Sequence, residues 1–372
     1  MHDFDTAAIL AHLRRWVEIE SPSDVPSAVN AMVDALAADY ARLPVTQERV
    51  AGAPGFGDHL IVRSAWGQDR PGILLLSHSD TVHPLGFILD RLPFRIEGDR
   101  AYGPGIYDMK GGLCIAYHAF AAIAAAGGSP LGITHLIVSD EEIGSPSSRP
   151  LIERLGKAAS HVLVTEPARD GGKIVVGRKG TGDFRLTIHG RASHAGTKPE
   201  EGRSAVRELA HQILQLEALS DPASGVTVTV GVVRGGTRPN VVPDLAEADV
   251  DIRVPTLAAA DHLIAAIRDR KPVTPDVTIR VTGGLNRPPF EQSPAGRRLF
   301  DLAHAEAAKI GIDLVGVFTG GGSDGNFTAP TTPTLDGLGV DGAGAHTDQE
   351  HALVSSMAPR ADLLRRIMMT LR

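Results

Sequence analysis

The stretch GILLLS at residues 72–77 decides the fold class, because it is a short, continuous apolar run that begins at a Pro-Gly turn. Such a run is typical of a strand that is buried on both faces. Two further runs follow along the chain, ITHLIVS at 133–139 and HVLVT at 161–165. Helical stretches at 113–126 and 147–155 lie between the strands. This alternation predicts an α/β domain with a mostly parallel sheet and helices on both faces.

The sequence pattern changes near Gly177. Three later segments alternate between apolar and polar residues, which predicts an antiparallel sheet with one solvent-exposed face. The α/β pattern returns after Gly284. We therefore predict a main domain formed by residues 1–177 and 285–372, and an inserted α+β domain formed by residues 178–284.

Composition limits the classes of function. The chain has 372 residues and a formal net charge of −7 without a basic stripe, which argues against a nucleic-acid partner. Its single cysteine, Cys114, excludes an internal disulfide framework and fits a reducing compartment. The N-terminal residues do not show the signal-peptide pattern of a basic start followed by an apolar run. The most apolar stretch is too short to span a bilayer. We therefore predict a cytoplasmic protein with no membrane partner.

Candidate functional residues follow the predicted strands, at the edge where sites form in open α/β sheets. His78 and Asp80 end the first strand and, being two residues apart, point the same way in an extended chain. A metal-bound imidazole needs its second nitrogen held, commonly by a carboxylate, so Asp80 could orient His78. For this pair taken alone, a solvated strand end is the better interpretation.

Asp108 lies within GPGIYDMKGG at residues 103–112, where glycine and proline let the backbone fold tightly around it. Its two carboxylate oxygens could bridge two metal ions about 3.5–4 Å apart. Asp108 could also cap the helix that follows, because aspartate is a common N-cap residue. Taken alone, the cap is the better interpretation.

Four more candidates carry acidic or imidazole side chains in loops. Glu141 and Glu142 belong to SDEEIGS at residues 139–145, where grouped carboxylates repel unless cations compensate them. Because successive side chains diverge, Glu142 could bind metal while Glu141 faces the substrate water, although a solvated acidic loop is equally consistent. Glu166 follows another apolar strand and His346 lies in a Gly-rich turn, and each is a weak signal alone.

Taken together, these candidates indicate a metal site more strongly than any one of them does. Imidazoles and carboxylates suit zinc, which takes nitrogen and oxygen ligands. Three carboxylates and one bridging hydroxide would balance the charge of two zinc ions, whereas a single zinc ion would leave the cluster anionic. We predict two Zn²⁺ ions per subunit, which Co²⁺ or Mn²⁺ could replace. The predicted metal ligands are His78, Asp108, Glu142, Glu166 and His346.

These motifs resemble, in their order along the chain, the zinc peptidase family of glutamate carboxypeptidase, acetylornithine deacetylase and succinyl-diaminopimelate desuccinylase. The resemblance covers nearly the whole chain. It rests on HSDTVHP at 78–84, GPGIYDMKGG at 103–112, SDEEIGS at 139–145, EP at 166–167, GRASHAG at 190–196, RPNVVPD at 238–244, GGGSDGN at 320–326 and GAHTDQE at 344–350. The resemblance implies a hydrolase that cuts an amide bond.

The resemblance also implies how the ligands are shared between the two metal ions. His78 and Glu166 would each join one of the two metals, with Glu142 and His346 completing the pair and Asp108 bridging. The metals would lower the pKa of water towards about 7 and would stabilise the developing oxyanion.

Residues that hold no metal receive implied roles as well. Asp80 would orient His78, and Glu141 would act as general base and then as general acid. The inserted segment 178–284 would be a lid domain through which such enzymes commonly form homodimers. His194 would reach into the partner's active site and stabilise the oxyanion, and Asn240 would contact the substrate.

Within the family, the chain looks closest to glutamate carboxypeptidase. Glu166 is a glutamate rather than the aspartate of the acetylornithine branch. Lys179 and Arg287 match positions that grip the glutamate carboxylates, and Arg253 is a further candidate, because arginine pairs bidentately with carboxylates. Ordinary surface charge is the alternative for these cations. The expected substrate is a small N-acyl or peptidyl amino acid with a free, acidic C-terminal residue.

Two alternatives stay open. The first keeps the fold but changes the substrate, so that the chain is a deacylase, dipeptidase or tripeptidase without acidic specificity. The second is a catalytically dead binding protein on the same fold. Asp80 and Glu141 argue against the second alternative, because a dead homologue needs neither residue.

Overall fold

The computed structural model describes residues 4–372, which form two compact units. The first unit contains the described residues up to Gly177 together with Gln292–Thr319 and Ser323–Arg372. The second unit contains Arg178–Glu291 and Gly320–Gly322.

Strands and helices are numbered in chain order. The strands are β1 (Val45–Val50), β2 (His59–Ser64), β3 (Ile73–His78), β4 (Arg95–Glu97), β5 (Arg100–Tyr102), β6 (Ile133–Val138), β7 (His161–Val164), β8 (Ile174–Arg178), β9 (Gly180–His189), β10 (Ser193–His194), β11 (Thr227–Gly235), β12 (Val241–Val242), β13 (Leu245–Val254), β14 (Thr278–Arg287), β15 (Gly316–Thr319), β16 (Thr334–Leu335), β17 (Gly342–Ala343) and β18 (His351–Leu353). The helices are α1 (Thr6–Val17), α2 (Pro26–Tyr40), α3 (Phe87–Asp90), α4 (Gly111–Ala125), α5 (Arg149–Ala158), α6 (Ala205–Glu217), α7 (Leu257–Arg268), α8 (Pro294–Ala308), α9 (Gly325–Thr328) and α10 (Val354–Thr370). Short helical turns occur at Ile106–Lys110, Glu141–Ile143 and Pro199–Glu201.

The main sheet of the first unit has six strands in the order β1-β2-β6-β3-β7-β16. Strands β6, β3, β7 and β16 run parallel to one another, whereas β2 pairs antiparallel with β6 on one side and with the edge strand β1 on the other. The predicted fold class, with its mostly parallel sheet, is confirmed. The pairing of β1 and β2 at this edge was not predicted, and β1 itself reads VTQERV, without an apolar run.

Strand β3 explains why the parallel strands read as continuous apolar runs. Ile73 and Leu75 belong to a large apolar cluster that includes residues of α1, α4 and α10. Leu74 and Leu76 belong to a second apolar cluster on the other face, which includes residues of α5 and α9. Each fully buried aliphatic side chain of this kind contributes about 1.5–3 kcal/mol. Helices therefore cover both faces of the sheet, as predicted.

The second unit is built on a four-stranded antiparallel sheet in the order β11-β13-β9-β14. Strand β9 alternates as predicted, since Phe184, Leu186 and Ile188 are buried and their neighbours are less buried or exposed. The buried side chains form two apolar clusters with residues of α6 and α7. The opposite face of the sheet carries charged side chains, which matches the expected single wet face.

The second unit runs from Arg178 to Glu291 along the chain, so the segment 178–284 lies within it. The Gly283-Gly284 pair looked like a domain boundary in the sequence. In the structure it lies inside β14, where Gly283 has φ 106° and pairs with Phe184. Among residues 4–372, no helix is long and apolar enough to cross a membrane.

Candidate active site

The parallel strands of the first unit bring three predicted ligands to one edge of the sheet. His78 is the last residue of β3 and pairs in register with Val138, the last residue of β6. The acidic turn that carries Glu142 follows β6 directly, and Glu166 comes two residues after the end of β7. Because the carboxyl ends of neighbouring parallel strands meet, side chains far apart in sequence become neighbours.

The carboxylate of Asp108 lies between the two predicted ligand histidines. Its Oδ1 atom is 3.3 Å from Nε2 of His78, and its Oδ2 atom is 3.5 Å from Nε2 of His346. Nε2 of His78 is also 3.6 Å from Oε1 of Glu166, and Nε2 of His346 is 3.1 Å from Oε2 of Glu142. The five residues therefore form two His-carboxylate pairs, one on each oxygen of Asp108.

The donor set fits metal ions of the zinc class. One ligand atom each from His78, Asp108 and Glu142 lie within 4.8 Å of one another, and so do atoms from His78, Glu141 and Glu166. The Oε1 atom of Glu142 is buried without a hydrogen-bond partner among the described residues. A buried carboxylate oxygen without a donor is costly unless a cation compensates it.

The electrostatics of the cluster also favour cations. Burial and the neighbouring Asp108 carboxylate raise the pKa of Glu142 to about 8. Hydrogen bonds to Asp108 and Glu142 raise the pKa of His346 to about 10. Although burial alone would lower the pKa of His78, hydrogen bonds to Asp108 and Asp80 raise it well above its ordinary value. These shifts indicate a strongly negative potential at the ends of the strands.

Asp80 holds the acidic turn in place more directly than it holds His78. Its Oδ1 and Oδ2 atoms accept hydrogen bonds from the backbone N–H groups of Glu141 and Glu142, both at 3.2 Å, and Oδ2 also accepts one from the Ser23 hydroxyl at 2.6 Å. Nδ1 of His78 lies 3.0 Å from the backbone carbonyl oxygen of Asp80 and 3.5 Å from its carboxylate. The predicted orientation of His78 is therefore shared between the main chain and the side chain of Asp80.

Glu350 is a site residue to which the sequence assigned no role. Its buried carboxylate accepts hydrogen bonds from the backbone N–H groups of Gly105 at 3.1 Å and of Tyr107 and Asp108 at 2.9 Å. Nε2 of His83 lies 2.7 Å from the same carboxylate. The signal was present in GAHTDQE at residues 344–350, but nothing in a local pattern shows which distant backbone a glutamate will hold.

His346 reaches the cluster from a turn with unusual backbone geometry. Its φ of 65° lies in the left-handed region, which non-glycine residues seldom adopt, and Gly344 in the same turn has φ 79°. The His346 side chain is about half exposed, with 52% of its surface accessible, whereas His78 is fully buried. The two imidazoles therefore meet Asp108 from different environments, one inside the sheet edge and one at the surface.

The second unit contains two further predicted site residues, His194 and Asn240. His194 lies on β10, where it pairs with Val241 of β12. Its Nδ1 atom accepts hydrogen bonds from the backbone N–H groups of Gly196 and Thr197 at 3.1 and 3.2 Å, so a neutral ring carries its proton on Nε2. The carbonyl oxygen of Asn240 accepts a hydrogen bond from the backbone of the residue after His194.

The three predicted substrate-binding cations differ in their surroundings. Arg287 is buried on β14 and pairs across the sheet with Thr181, two residues from Lys179. Lys179 and Arg287 therefore lie at the same end of neighbouring strands. Arg253 forms a bidentate ion pair with Asp251, with distances of 2.9 and 2.7 Å.

Comparisons with known proteins show what the whole chain is similar to. The chain is 33% identical over 373 residues to carboxypeptidase G2 of Pseudomonas sp. strain RS-16, covering 98% of this chain and 89% of that protein. It is 27% identical over 353 residues to succinyl-diaminopimelate desuccinylase of Delftia acidovorans, covering 87% of this chain and 89% of that protein. The structure of aminopeptidase PepT from Bacillus cereus matches with a TM-score of 0.80 over 98% of both chains at 23% identity, which supports the fold alone.

The family itself follows from a match over most of the chain. The sequence model of peptidase family M20/M25/M40 matches residues 74–370, which include all five predicted metal ligands. The predicted family is confirmed: the chain belongs to the metal-dependent M20 peptidases and amidohydrolases.

Proposed function

We propose that the chain is a dizinc hydrolase that releases a C-terminal, acidic amino acid from a small N-acyl or peptidyl substrate. The observation that carries the proposal is the position of Asp108, whose two oxygens face two separate His-carboxylate pairs. Glu141 stands next to one of these pairs without belonging to it. A two-metal centre with one further carboxylate beside it suits hydrolysis of an amide bond.

The proposed metal sites share Asp108. His78 and Glu166 would hold one metal ion, and Glu142 and His346 would hold the other, because each pair faces one oxygen of Asp108. When bound, the metal ions supply Lewis acidity and lower the pKa of a bound water. Zinc suits the nitrogen and oxygen donors, and Co²⁺ or Mn²⁺ could replace it.

Glu141 and His194 are the proposed catalytic residues that hold no metal. Glu141 takes a proton from the attacking water and returns it to the leaving nitrogen, as a general base and then a general acid. Asp80 supports this role because it holds the backbone N–H of Glu141. His194 has its Nε2–H turned away from the hydrogen bonds at Nδ1, so it can donate to an oxyanion.

The acidic specificity rests on the cations of the second unit. Lys179 and Arg287 lie at the same end of neighbouring strands, where they could bind the carboxylates of a released glutamate-like residue. Arg253 is the weakest of the three candidates, because its bidentate pair with Asp251 competes with a substrate carboxylate. Asn240 remains a proposed substrate contact.

A deacylase or a di- or tripeptidase without acidic specificity is the second candidate. It is favoured by the 27% identity to a succinyl-diaminopimelate desuccinylase. A dead binding protein is less consistent, because Asp80 and Glu141 keep their places beside the proposed ligands.

A substrate panel on the zinc-reconstituted protein distinguishes these candidates. We expect kcat/KM to be higher for N-acyl-Glu and N-acyl-Asp than for N-acyl-ornithine or neutral dipeptides. Arg287→Gln should lower kcat/KM for N-acyl-Glu by about 10- to 100-fold, since a hydrogen bond to a charged group contributes about 1.5–3 kcal/mol. Arg280→Gln, at an exposed position on the same strand, is the matched control. Equal rates on acidic and neutral substrates would overturn the acidic specificity.

The proposed assembly is a homodimer formed through the second unit, in which His194 acts in the partner's active site. Light scattering at the concentration used for kinetics tests this arrangement. A monomer with full activity would remove His194 from a role in the partner subunit. A cytoplasmic location stays a prediction.

A further inference from the structure

A second cluster of metal-binding side chains lies in the first unit, outside the proposed active site. His12 is on α1, and Cys114 and His118 are on α4. One ligand atom from each of the three residues lies within 4.8 Å of the others. None of these residues belongs to the motifs on which the proposed function rests.

The spacing of the two imidazoles matches coordination of one metal ion. Nδ1 of His12 is 3.2 Å from Nε2 of His118. Two nitrogen ligands of a tetrahedral zinc ion, each about 2.0–2.1 Å from the metal, lie about 3.3 Å apart. Cys114 and His118 are four residues apart on one helix, so their side chains lie on the same face.

The environment of His12 orients it as a ligand. Its Nε2 atom is 2.9 Å from Oδ2 of Asp39, which leaves Nδ1 facing His118. A carboxylate on the far nitrogen of a ligand histidine fixes its tautomer and raises its basicity. Trp16 donates a second hydrogen bond to the same oxygen of Asp39 at 3.0 Å, which holds the carboxylate in place.

Burial disfavours the charged form of both imidazoles. Burial lowers the pKa of His118 to about 4, and burial also lowers the pKa of His12 although Asp39 opposes it. A neutral imidazole offers the lone pair that a metal needs. Burial raises the pKa of the Cys114 thiol well above its ordinary value, so its proton leaves only when a metal takes its place.

An open cavity gives access to the cluster. The cavity has a volume of about 410 Å³ and is lined by His12, Asp39, Tyr117 and His118, among others. Two exposed arginines beside it, Arg15 and Arg42, lie 3.5 and 3.4 Å from the Asp39 carboxylate. The guanidinium groups of both arginines therefore pair with the Asp39 carboxylate, and solvent screens their positive charge.

We propose that His12, Cys114 and His118 bind one additional transition-metal ion of the zinc class, with a fourth position open to the cavity. The thiol proton of Cys114 is released to solvent as the sulfur–metal bond forms. The bound ion ties α1 to α4, two helices of the same apolar cluster. Nitrogen and sulfur donors of this kind select zinc and related ions over magnesium or calcium.

Cobalt substitution tests the proposal without reference to activity. Cys114 is the only cysteine of the chain, and the proposed active-site ligands offer only nitrogen and oxygen. Thiolate-to-cobalt charge-transfer absorption in the near ultraviolet therefore reports this second site alone. We expect the full chain, loaded with excess Co²⁺, to show this absorption and to bind one more metal equivalent than Cys114→Ser.

Variants complete the test. Cys114→Ser should lose the thiolate absorption, and His118→Gln, at a partly exposed position, should weaken Co²⁺ binding at this site by at least tenfold. His304→Gln on α8 is an exposed histidine control that should behave as the unmodified chain. Absence of thiolate absorption in the unmodified chain, or the same metal content in the unmodified chain and a folded His118→Gln variant, would overturn the proposal.

Discussion

Glu350 accepts a hydrogen bond from the backbone N–H of Asp108 at 2.9 Å, although the two residues are 242 positions apart in the chain. The same carboxylate accepts hydrogen bonds from two more N–H groups of the turn before Asp108. Because Glu350 is buried, these bonds are not exchanged for bonds to water. Glu350 therefore sets the position of the carboxylate that we propose to bridge the two metal ions.

Glu350→Gln should weaken metal binding. Glutamine replaces one accepting oxygen with an NH₂ group that would face N–H donors, so the turn around Asp108 would loosen. We expect the affinity for zinc to fall by about 10- to 100-fold, as for other residues that position metal ligands. Competition against a chromophoric chelator measures this loss. Asp348→Asn, at a partly exposed position two residues away, should leave zinc affinity unchanged, and an equal loss in both variants would contradict the assignment.

Asp80→Asn should lower turnover more than it lowers substrate binding. The carboxylate holds the backbone of Glu141 and Glu142, so its loss displaces the proposed base and one ligand together. We expect kcat to fall by about 10- to 100-fold with a small change in KM. Ser23→Ala removes one hydrogen bond to Asp80 and should give a smaller loss in the same direction. An unchanged kcat in Asp80→Asn would show that the main chain alone positions the turn.

Glu141→Gln should separate catalysis from metal binding. Glutamine keeps the shape of the side chain but cannot accept the proton of the attacking water. We expect the variant to keep its zinc and to lose about 10²- to 10⁴-fold in kcat, the usual contribution of a general base. Metal analysis and steady-state rates measure the two quantities. Glu153→Gln, at an exposed position on α5, is the control, and loss of zinc from Glu141→Gln would make Glu141 a ligand instead.

His135 should make the protein less stable in acid. It is fully buried between the Tyr40 hydroxyl at 2.6 Å and the Ser77 hydroxyl at 2.8 Å, and burial lowers its pKa to about 3. The unfolded chain binds a proton at this histidine below about pH 6.5, whereas the folded chain does not. The contribution of His135 is therefore complete above pH 6.5 and decreases towards pH 3, by about 1.4 kcal/mol per pH unit.

Urea unfolding between pH 8 and pH 5 measures this contribution. The difference in free energy of unfolding between the unmodified chain and His135→Gln should shrink as the pH falls, because only the unmodified chain carries this histidine. Effects of other groups, including the metal site, cancel in that difference. His304→Gln, at an exposed position, should give a difference that does not change with pH. A pH-independent difference for His135→Gln would contradict the prediction.

Local sequence patterns were enough to predict the fold class and to suggest most of the proposed ligands. Runs such as Ile73–His78 are apolar at every position because both faces of the strand are buried, and this pattern is visible locally. A proposed ligand at the end of such a strand, as His78 is, or two residues beyond it, as Glu166 is, is positioned by the parallel sheet itself. Alternation in β9 likewise predicted the antiparallel sheet of the second unit.

Only the tertiary structure decided how the loops meet. The two oxygens of Asp108 face different histidines because Glu350 holds the Asp108 turn and because His346 arrives on a left-handed turn from the far end of the chain. The cluster of His12 with Cys114 and His118 arises in the same way, from the packing of α1 against α4. These contacts join residues a hundred or more positions apart, and no local periodicity encodes such a pairing. Periodicity reports which face of an element is buried, whereas the chemistry of a site depends on which buried faces come together.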